Sequence, residues 1–393
     1  MAFAPESIDD GFEVVEDFQL ATQIMVFGVG GAGGNAVEHM VNSGVGDVEY
    51  VIANTDVAAL RSKDGSKMTR IQIGRKTTRG QGAGNDPARG KQSAEENRDD
   101  IADKLDGVSM LFVAAGMGGG TGTGAAPVIS SVAKEKGILT VGVVTKPFDF
   151  EGKPKMREAI KGVNEMKKNV DALIVVPNER IKELKGSNIT IKNAFEKVDE
   201  ILTKAVRGII SLIHQTGYLN IDFADICSTL RDSGIAHMAI GTGKGDRKVE
   251  EAIEEVMNSP LLETSISGAR RGLLNVSLPE TFELEEFDAL MKKITENFDT
   301  EAKYKCGVVF DDTLEKDEIS IIAIATDFTD DEPEAVVNVA VKTTPLIQEA
   351  DIDEEENAVA APSSVSAGVQ GVNFDDTDNI DTLLRKFTQG RDN

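Results

Sequence analysis

A glycine-rich stretch between an apolar run and a helical pattern places the strongest constraint on this chain. In AAGMGGGTGTGAAP, residues 114–127, six of the fourteen residues are glycine and two are threonine. The run SMLFVAAG is predicted as a buried strand, and AAPVISSVAKEKG as a helix opened by Pro127 and ended by Gly137. Glycine amides can converge on one anion, and the helix N-terminus adds its positive end. The stretch therefore predicts phosphate binding rather than a flexible hinge, and its glycines are Gly116, Gly118, Gly119, Gly120, Gly122 and Gly124.

A second glycine-rich loop, GVGGAGGN at residues 28–35, lies between another predicted strand and helix. It contains Gly28-x-Gly30-x-x-Gly33, which matches the dinucleotide fingerprint, and Asp56 could serve as the ribose acid. An NAD-dependent oxidoreductase is therefore an open alternative at this point. Two phosphate loops about 90 residues apart favour a nucleoside triphosphate instead. The stretch GTGKGDRK at residues 241–248 lacks the Ser or Thr of a Walker A motif and is predicted as a surface loop.

Strand and helix patterns alternate over the first half of the chain, which predicts an α/β fold with a doubly wound, mostly parallel sheet. RGKQSAEENRDDIADKLDG is predicted as one of its helices. The segment at residues 190–217 carries apolar side chains at helical spacing for about 25 residues and predicts a long central helix. A shorter α/β unit follows, with RGLLNVSL, KCGVVFDD and ISIIAIATDF as strands.

Charge and composition exclude several classes of function. The 393-residue chain has a net charge of −25 and a pI of about 4.6, which argues against nucleic-acid binding and against unaided attraction to an anionic membrane. No apolar stretch approaches the ~18 residues of a membrane span, and the N-terminus lacks the features of a signal peptide. The two cysteines, Cys227 and Cys306, are expected to be free thiols in a cytoplasmic protein.

Several motifs in a fixed order resemble those of the FtsZ family, the bacterial tubulin homologues of cell division. These motifs are GVGGAGGNAVEHM, NTD, TRGQGAGNDPARG, GGGTGTG, VTKPFDFEG and LNIDFADI, and the resemblance covers about residues 22–330. It implies a GTPase domain, a long central helix, a second domain and head-to-tail filaments. The domain boundaries we predict are a flexible arm at 1–22, a GTP-binding domain at 23–195, the central helix and synergy loop at 196–220, a GTPase-activating domain at 221–330, a disordered acidic linker at 331–375 and a partner-binding peptide at 376–393.

The resemblance implies a set of residues that contact GTP or GDP. Glu151 matches a ribose contact, Asn178 and Asp199 match the residues that read guanine, and Phe195 matches an aromatic ring stacked on the base. Lys155 stands where the family usually has arginine. Lysine retains the positive charge, but it cannot bind phosphate in the bidentate manner of arginine. The phosphate contacts are Gly31, Ala32, Gly33, Gly34 and Asn35 in the first loop and Gly118, Gly119, Gly120, Thr121, Gly122, Thr123 and Gly124 in the second. Ala32 replaces a common glycine, so its position must tolerate a Cβ.

Three polar residues in LNIDFADI are the catalytic candidates. Asp222 and Asp225 are three apart, so one helical turn would place them on the same face, but from the residues alone helix capping is the favoured explanation. The resemblance implies that they act on GTP held by the next subunit, with Mg²⁺ accompanying the nucleotide and Asn220 helping to position the attacking water. No separate metal-ligand cluster is predicted.

The resemblance also implies partners. The protein would polymerise with itself, and the peptide NIDTLLRKF would bind membrane-tethering and regulatory division proteins at the mid-cell ring, without inserting into the membrane. The peptide keeps Asp381, Leu384 and Arg385, but it lacks the family proline, and Leu383 replaces phenylalanine.

Overall fold

The computed structural model describes residues 22–183, 189–214, 218–219, 221–259, 266–310, 314–315 and 317–328. Residues 1–21 of the predicted arm, the linker, the C-terminal peptide and Asn220 lie outside these ranges. The described residues belong to one compact unit of the chain. Within them, no helix is both long enough and apolar enough to cross a bilayer.

A seven-stranded parallel sheet forms the first half of this unit. Its strand order is β3-β2-β1-β4-β5-β6-β7, and every pairing is parallel. The predicted doubly wound parallel sheet is therefore confirmed. Its strands are β1 (Ile24–Val29), β2 (Glu49–Asn54), β3 (Thr69–Gln72), β4 (Met110–Gly116), β5 (Leu139–Lys146), β6 (Ala172–Pro177) and β7 (Gly234–Ile235).

Helices cover both faces of this sheet, which explains why its central strands are almost continuously buried. Alternate residues of β1 show the two faces: Val26 belongs to one apolar cluster and Phe27 to the other. The helices are α1 (Gly30–Asn42), α2 (Val57–Arg61), α3 (Arg75–Thr78), α4 (Pro87–Glu96), α5 (Arg98–Lys104), α6 (Thr121–Glu135), α7 (Lys153–Asn169), α8 (Ile191–His214) and α9 (Phe223–Leu230).

The second half of the compact unit is built on a smaller, four-stranded sheet. Its strand order is β10-β9-β11-β8, and β11 runs antiparallel to its neighbours. Residues of α8 share an apolar cluster with one face of this sheet, and two helices cover the other face. The predicted second α/β unit is thus confirmed. Its elements are β8 (His237–Lys244), α10 (Lys248–Met257), β9 (Ala269–Leu278), α11 (Leu284–Thr295), β10 (Lys303–Phe310) and β11 (Glu318–Phe328).

The central helix is confirmed as α8, which has 24 residues. At 1.5 Å per residue it spans roughly 35 Å. The boundary that we predicted between residues 195 and 196 falls inside this helix. The boundary predicted at 220/221 would assign α9 and β7 to the second domain. However, β7 pairs with β6 and so belongs to the first sheet.

Three local predictions were wrong. The helix predicted across residues 89–107 is broken at Asn97, whose amide accepts from Gly74 N at 2.9 Å and donates to Asp100 at 2.7 Å. Helix α6 begins at Thr121 rather than Pro127, which lies inside it. Residues 241–244 belong to β8 rather than to a surface loop. A Cβ at Gly243 would stand 1.8 Å from the carbonyl oxygen of Lys248, so glycine there lets α10 pack closely against the strand.

Candidate functional site

A pocket of about 450 Å³ opens at the carboxyl ends of β1, β4, β5 and β6. This is the edge at which open parallel sheets bind ligands. Most of the residues predicted from the sequence meet there. Its lining includes Gly31, Ala32, Asn35, Gly119, Gly120, Thr121, Gly122, Glu151, Lys155, Asn178, Phe195 and Asp199.

Two helix N-termini face this pocket, because residues in the first turns of α1 and α6 belong to its lining. Those first turns hold only glycine, alanine and threonine. Among the described residues, no side chain caps either start, whereas Asp56 and Asp86 cap α2 and α4. The first amides of both helices are therefore left for a ligand, and the helix dipoles favour an anion.

The glycines of the two loops divide into two groups. An added Cβ at Gly31, Gly34 or Gly119 would meet no described atom within 4 Å. By contrast, a Cβ added at Gly33 would stand 2.2 Å from the carbonyl oxygen of Ala114. A Cβ added at Gly124 would stand 2.0 Å from the carbonyl oxygen of Pro87. The second group therefore brings neighbouring backbones together, a role that the sequence interpretation, which assigned every glycine to phosphate, did not include.

The two threonines of the second loop also differ. Thr121 lines the pocket, and its hydroxyl lies 2.7 Å from that of Thr55. Thr123 is buried, and its hydroxyl accepts from Gly118 N at 2.8 Å. Gly118 has a φ of +100°, a conformation that glycine adopts readily. Thr123 therefore fixes the shape of the loop, and Thr121 is the hydroxyl that a ligand can reach.

The base-reading candidates Asn178, Phe195 and Asp199 converge at one side of the pocket. Asn178 is 5% exposed, and its buried Oδ1 has no hydrogen-bond partner in the part of the chain that the structure describes. Phe195 is 47% exposed and meets Phe148 edge-on, with ring centroids 5.4 Å apart. This side thus offers an unused buried acceptor and an accessible ring face, which suits a base that carries N–H donors.

Burial raises the pKa of the Asp199 carboxyl to about 7, and the nearby Lys63 ammonium opposes the shift. The carboxylates of Glu38 and Glu196 add to the increase. Lys63 Nζ donates to Asn35 Oδ1 at 2.7 Å and to Glu38 Oε2 at 2.6 Å. Sequence reasoning missed Lys63, because nothing in its local sequence indicates that it reaches α1.

Glu151 and Lys155 both line the pocket and form an ion pair across one turn. Glu151 also accepts from Phe148 N at 2.9 Å. Both residues that the resemblance implies as ribose and phosphate contacts thus line the pocket, with their charges paired to each other.

The pocket contains residues that are not among the GTP contacts implied by the resemblance. They are Val29, Asn54, Asp56, Ala59, Gly82, Ala83, Gly84, Asn85, Gly116, Met117, Thr145, Pro147 and Val198. The glycine-rich TRGQGAGN was the available signal for residues 82–85. Asp56 accepts from Ala58 N at 2.8 Å and Ala59 N at 3.3 Å, so its carboxylate caps α2.

The catalytic candidates lie at the opposite end of the central helix. Ile221, which directly precedes Asp222, lines one small cavity together with Leu212 in the last turn of α8. Phe195, near the start of the same helix, lines the large pocket. Seventeen residues of helix between Phe195 and Leu212 span about 25 Å. Within the described ranges, neither Asp222 nor Asp225 belongs to the pocket lining.

Both acids take part in local structure. Asp222 caps α9 and accepts from Asp225 N at 2.6 Å. Asp225, in the first turn, pairs with Lys305 Nζ at 2.8 Å. The capping explanation thus holds for Asp222, and it leaves the second carboxylate oxygen of each residue for other contacts. A search of the described residues finds no group of three or more His, Cys, Asp or Glu side chains that could hold a metal.

Two family profiles match the chain. The GTPase domain of the Tubulin/FtsZ family matches residues 23–186, and the C-terminal domain of the FtsZ family matches residues 234–329. The first match includes the Gly28-x-Gly30-x-x-Gly33 loop. The oxidoreductase alternative is therefore wrong.

Individual relatives agree with these profiles. The chain is 44% identical over 304 residues to the cell division protein FtsZ of Wigglesworthia glossinidia brevipalpis. The matched region covers 77% of this chain and 78% of the relative. It is also 44% identical over 318 residues to the cell division protein FtsZ of Aquifex aeolicus (strain VF5), covering 81% and 86%.

Solved structures show the same fold. An empty FtsZ dimer from M. jannaschii has a TM-score of 0.72 and 36% identity, and the match covers 79% of this chain and 89% of that one. A GDP-bound CetZ1 monomer from Haloferax volcanii has a TM-score of 0.66 over 78% of this chain and 95% of that one, and its 21% identity supports the fold alone.

Proposed function

The chain belongs to the FtsZ family of tubulin-like GTPases, and we propose that it is a filament-forming GTPase of the division ring. Its relatives are cell division proteins, and its first domain is a GTPase domain. The finer proposal is that GTP held by one subunit is hydrolysed by acids of the next, in head-to-tail filaments.

GTP binds in the large pocket. Its phosphates accept from the amides at the starts of α1 and α6, which no described side chain caps. The phosphate contacts that line the pocket are Gly31, Ala32, Asn35, Gly119, Gly120, Thr121 and Gly122. Gly34 is buried in the first turn of α1 and lies outside this lining, while Gly33, Gly118, Thr123 and Gly124 hold the loops in shape.

Guanine fits the other side of the pocket. The Asp199 carboxylate accepts from its two N–H donors, Asn178 Oδ1 gains the partner that it lacks, and Phe195 stacks on the ring. Glu151 binds the ribose and Lys155 the phosphates. Bound Mg²⁺ would neutralise phosphate charge, and it needs few protein ligands beside the phosphates and water.

The observation that carries the interface proposal is the separation of pocket and acids. The pocket supplies binding groups, but Asp222 and Asp225 lie near the far end of α8. A second subunit placed end to end brings these acids to the bound phosphate, where they orient and polarise the attacking water, and Asn220 helps to position it. Such an interface is heterologous, so repetition gives an open filament when the rotation between subunits does not close a ring.

The terminal segments complete the proposal. The acidic segment at 331–375 serves as a linker, and the peptide at 376–393 binds membrane-tethering and regulatory proteins at the mid-cell ring. The other domains are those predicted at 23–195, 196–220 and 221–330, except that α8 is undivided at 195/196 and β7 belongs to the first sheet. Retained Asp381, Leu384 and Arg385 support the peptide's role.

A mixing experiment tests the shared site. Asp225→Ala removes a catalytic acid but keeps the pocket, whereas Asp199→Ala removes a base contact but keeps the acids. Each variant alone should be nearly inactive, even at concentrations where wild-type turnover per subunit has risen steeply with assembly.

In an equimolar random mixture, about one interface in four combines a loaded pocket with intact acids. The mixture should therefore recover about a quarter of the wild-type rate. A mixture no more active than the better variant alone, with co-assembly verified by sedimentation, contradicts the shared site.

A further inference from the structure

The strand β10 presents a lysine to the catalytic acids. Lys305 Nζ lies 2.8 Å from Asp225 Oδ1, and its side chain is 52% exposed. The Asp225 carboxylate raises the pKa of Lys305, and Asp222 contributes to the same shift. One ammonium group therefore interacts with both acids, although it belongs to a different element of the fold.

The strand that carries Lys305 also holds the loop that precedes the acids. Tyr218 N donates to Val308 O at 2.9 Å, and Val308 N donates to Leu219 O at 3.0 Å. A Cβ at Gly307 would stand 3.2 Å from Ile221 Cδ1, so Ile221 packs against the bare backbone there. These contacts fix the acid-bearing segment against β10 and bring Lys305 and Asp225 together.

The charges explain why a cation is useful here. In the proposed interface, two carboxylates approach a triphosphate of the same sign, which opposes docking. Lys305 reduces the net charge of the acid group from −2 to −1. The ion pair also restricts the Asp225 side chain, so that its other oxygen stays available for water.

We propose that Lys305 is a positioning residue for GTP hydrolysis: it orients Asp225 and neutralises part of the acid pair at the subunit interface. This inference rests on the proposed interface mechanism. Lys305 acts through Asp225, and it takes no part in nucleotide binding, because the pocket lies at the other end of α8.

The test compares Lys305→Met with Lys303→Met, an exposed lysine two residues earlier on the same face of β10. At protein concentrations where sedimentation with a non-hydrolysable GTP analogue shows full assembly, Lys305→Met should lower kcat roughly tenfold. The affinity of the dilute subunit for GTP should not change, and Lys303→Met should resemble the wild type. Lys305→Arg, which retains the cation, should restore most of the rate.

Two further comparisons separate the possible failures. In the Asp225→Ala background, Lys305→Met should cause no further loss, since two residues that act as a unit are not additive. If Asp225→Ala itself leaves turnover intact, the interface mechanism fails. If Asp225→Ala abolishes turnover while Lys305→Met behaves like Lys303→Met, or is faster than the wild type, the mechanism stands and the role of Lys305 is wrong.

Discussion

Gly116 makes room for the side chain of Ala32. A Cβ at residue 116 would stand 2.6 Å from Ala32 Cβ, closer than two non-bonded carbon atoms can approach. Both residues line the pocket, with Gly116 at the end of β4 and Ala32 in the first turn of α1. The Cβ at residue 32 is therefore tolerated because the facing strand carries none.

A double-mutant cycle tests this dependence. Gly116→Ala should displace the first phosphate loop, cost about 1–3 kcal/mol of stability and weaken GTP binding. Adding Ala32→Gly should recover most of both losses, whereas Ala32→Gly alone should have an effect of about 1 kcal/mol or less. Thermal denaturation and GTP titration measure the coupling, and purely additive effects would contradict the contact.

The division of the glycines predicts two different phenotypes. Gly124→Ala should reduce the free energy of unfolding by about 1–3 kcal/mol or more, because its Cβ would collide with the Pro87 carbonyl and separate α4 from α6. Gly119→Ala should change stability by only about 0.5 kcal/mol, since open space surrounds it. It should nevertheless weaken GTP binding by about tenfold or more, because its methyl group occupies phosphate space. Equal stability losses in the two variants would count against this division.

GTP binding should depend on the ionisation of Asp199. Its pKa is about 7, and only the carboxylate can accept from both guanine donors. Affinity should therefore be highest above pH 7 and should fall up to about tenfold per unit as the pH drops below 7. Lys63→Met removes the cation that lowers this pKa, so the decline should begin at higher pH.

Asp199→Asn is the control for this pH profile. It retains the titration of the phosphates, which lies near the same range, but it removes that of the carboxyl group. It should bind GTP weakly, with only the remaining phosphate dependence. An identical pH profile in the wild type and this variant would show that Asp199 does not govern the dependence.

Replacing Asn178 should have different effects on the stability of the nucleotide-free protein and on its affinity for GTP. An unpartnered buried carbonyl costs about 1–3 kcal/mol, so Asn178→Leu should leave the stability of the nucleotide-free protein unchanged or raise it. GTP affinity should fall at least about tenfold, because the base loses an acceptor. Asn275→Leu, which changes a buried asparagine of β9 outside the pocket, should leave GTP affinity intact. Comparable affinity losses in both variants would contradict the assignment.

The sequence predicted the strongly patterned elements and missed those whose signal is weak. The apolar period of α8 and the buried runs of β1 and β4 extend over enough residues to outweigh local noise. Strand β3 reads TRIQ and β7 has two residues, so neither carries a pattern of its own. Asn97 breaks a helix through contacts with Gly74 and Asp100, and its pairing with Gly74 is not visible in the local sequence.

The same distinction applies to the site. Short motifs located the glycine loops, because backbone shape is encoded nearby, whereas Asn178 and Asp199 were identified only through the family resemblance. Lys63 and Lys305 could not be found in this way, since each acts on a residue more than seventy positions away. Nor could composition reveal which glycines approach neighbouring backbone and which leave space for a ligand.

The short strand β7 has a consequence for how the protein is made. Its two residues pair with Ala172 and Leu173, yet they emerge from the ribosome about sixty residues later, after α8 and α9. Until then the edge of β6 stays bare, and an uncovered strand edge invites pairing with other nascent chains. The first sheet is therefore finished only when synthesis has passed residue 235, and a product that terminates at residue 220 should be prone to aggregate.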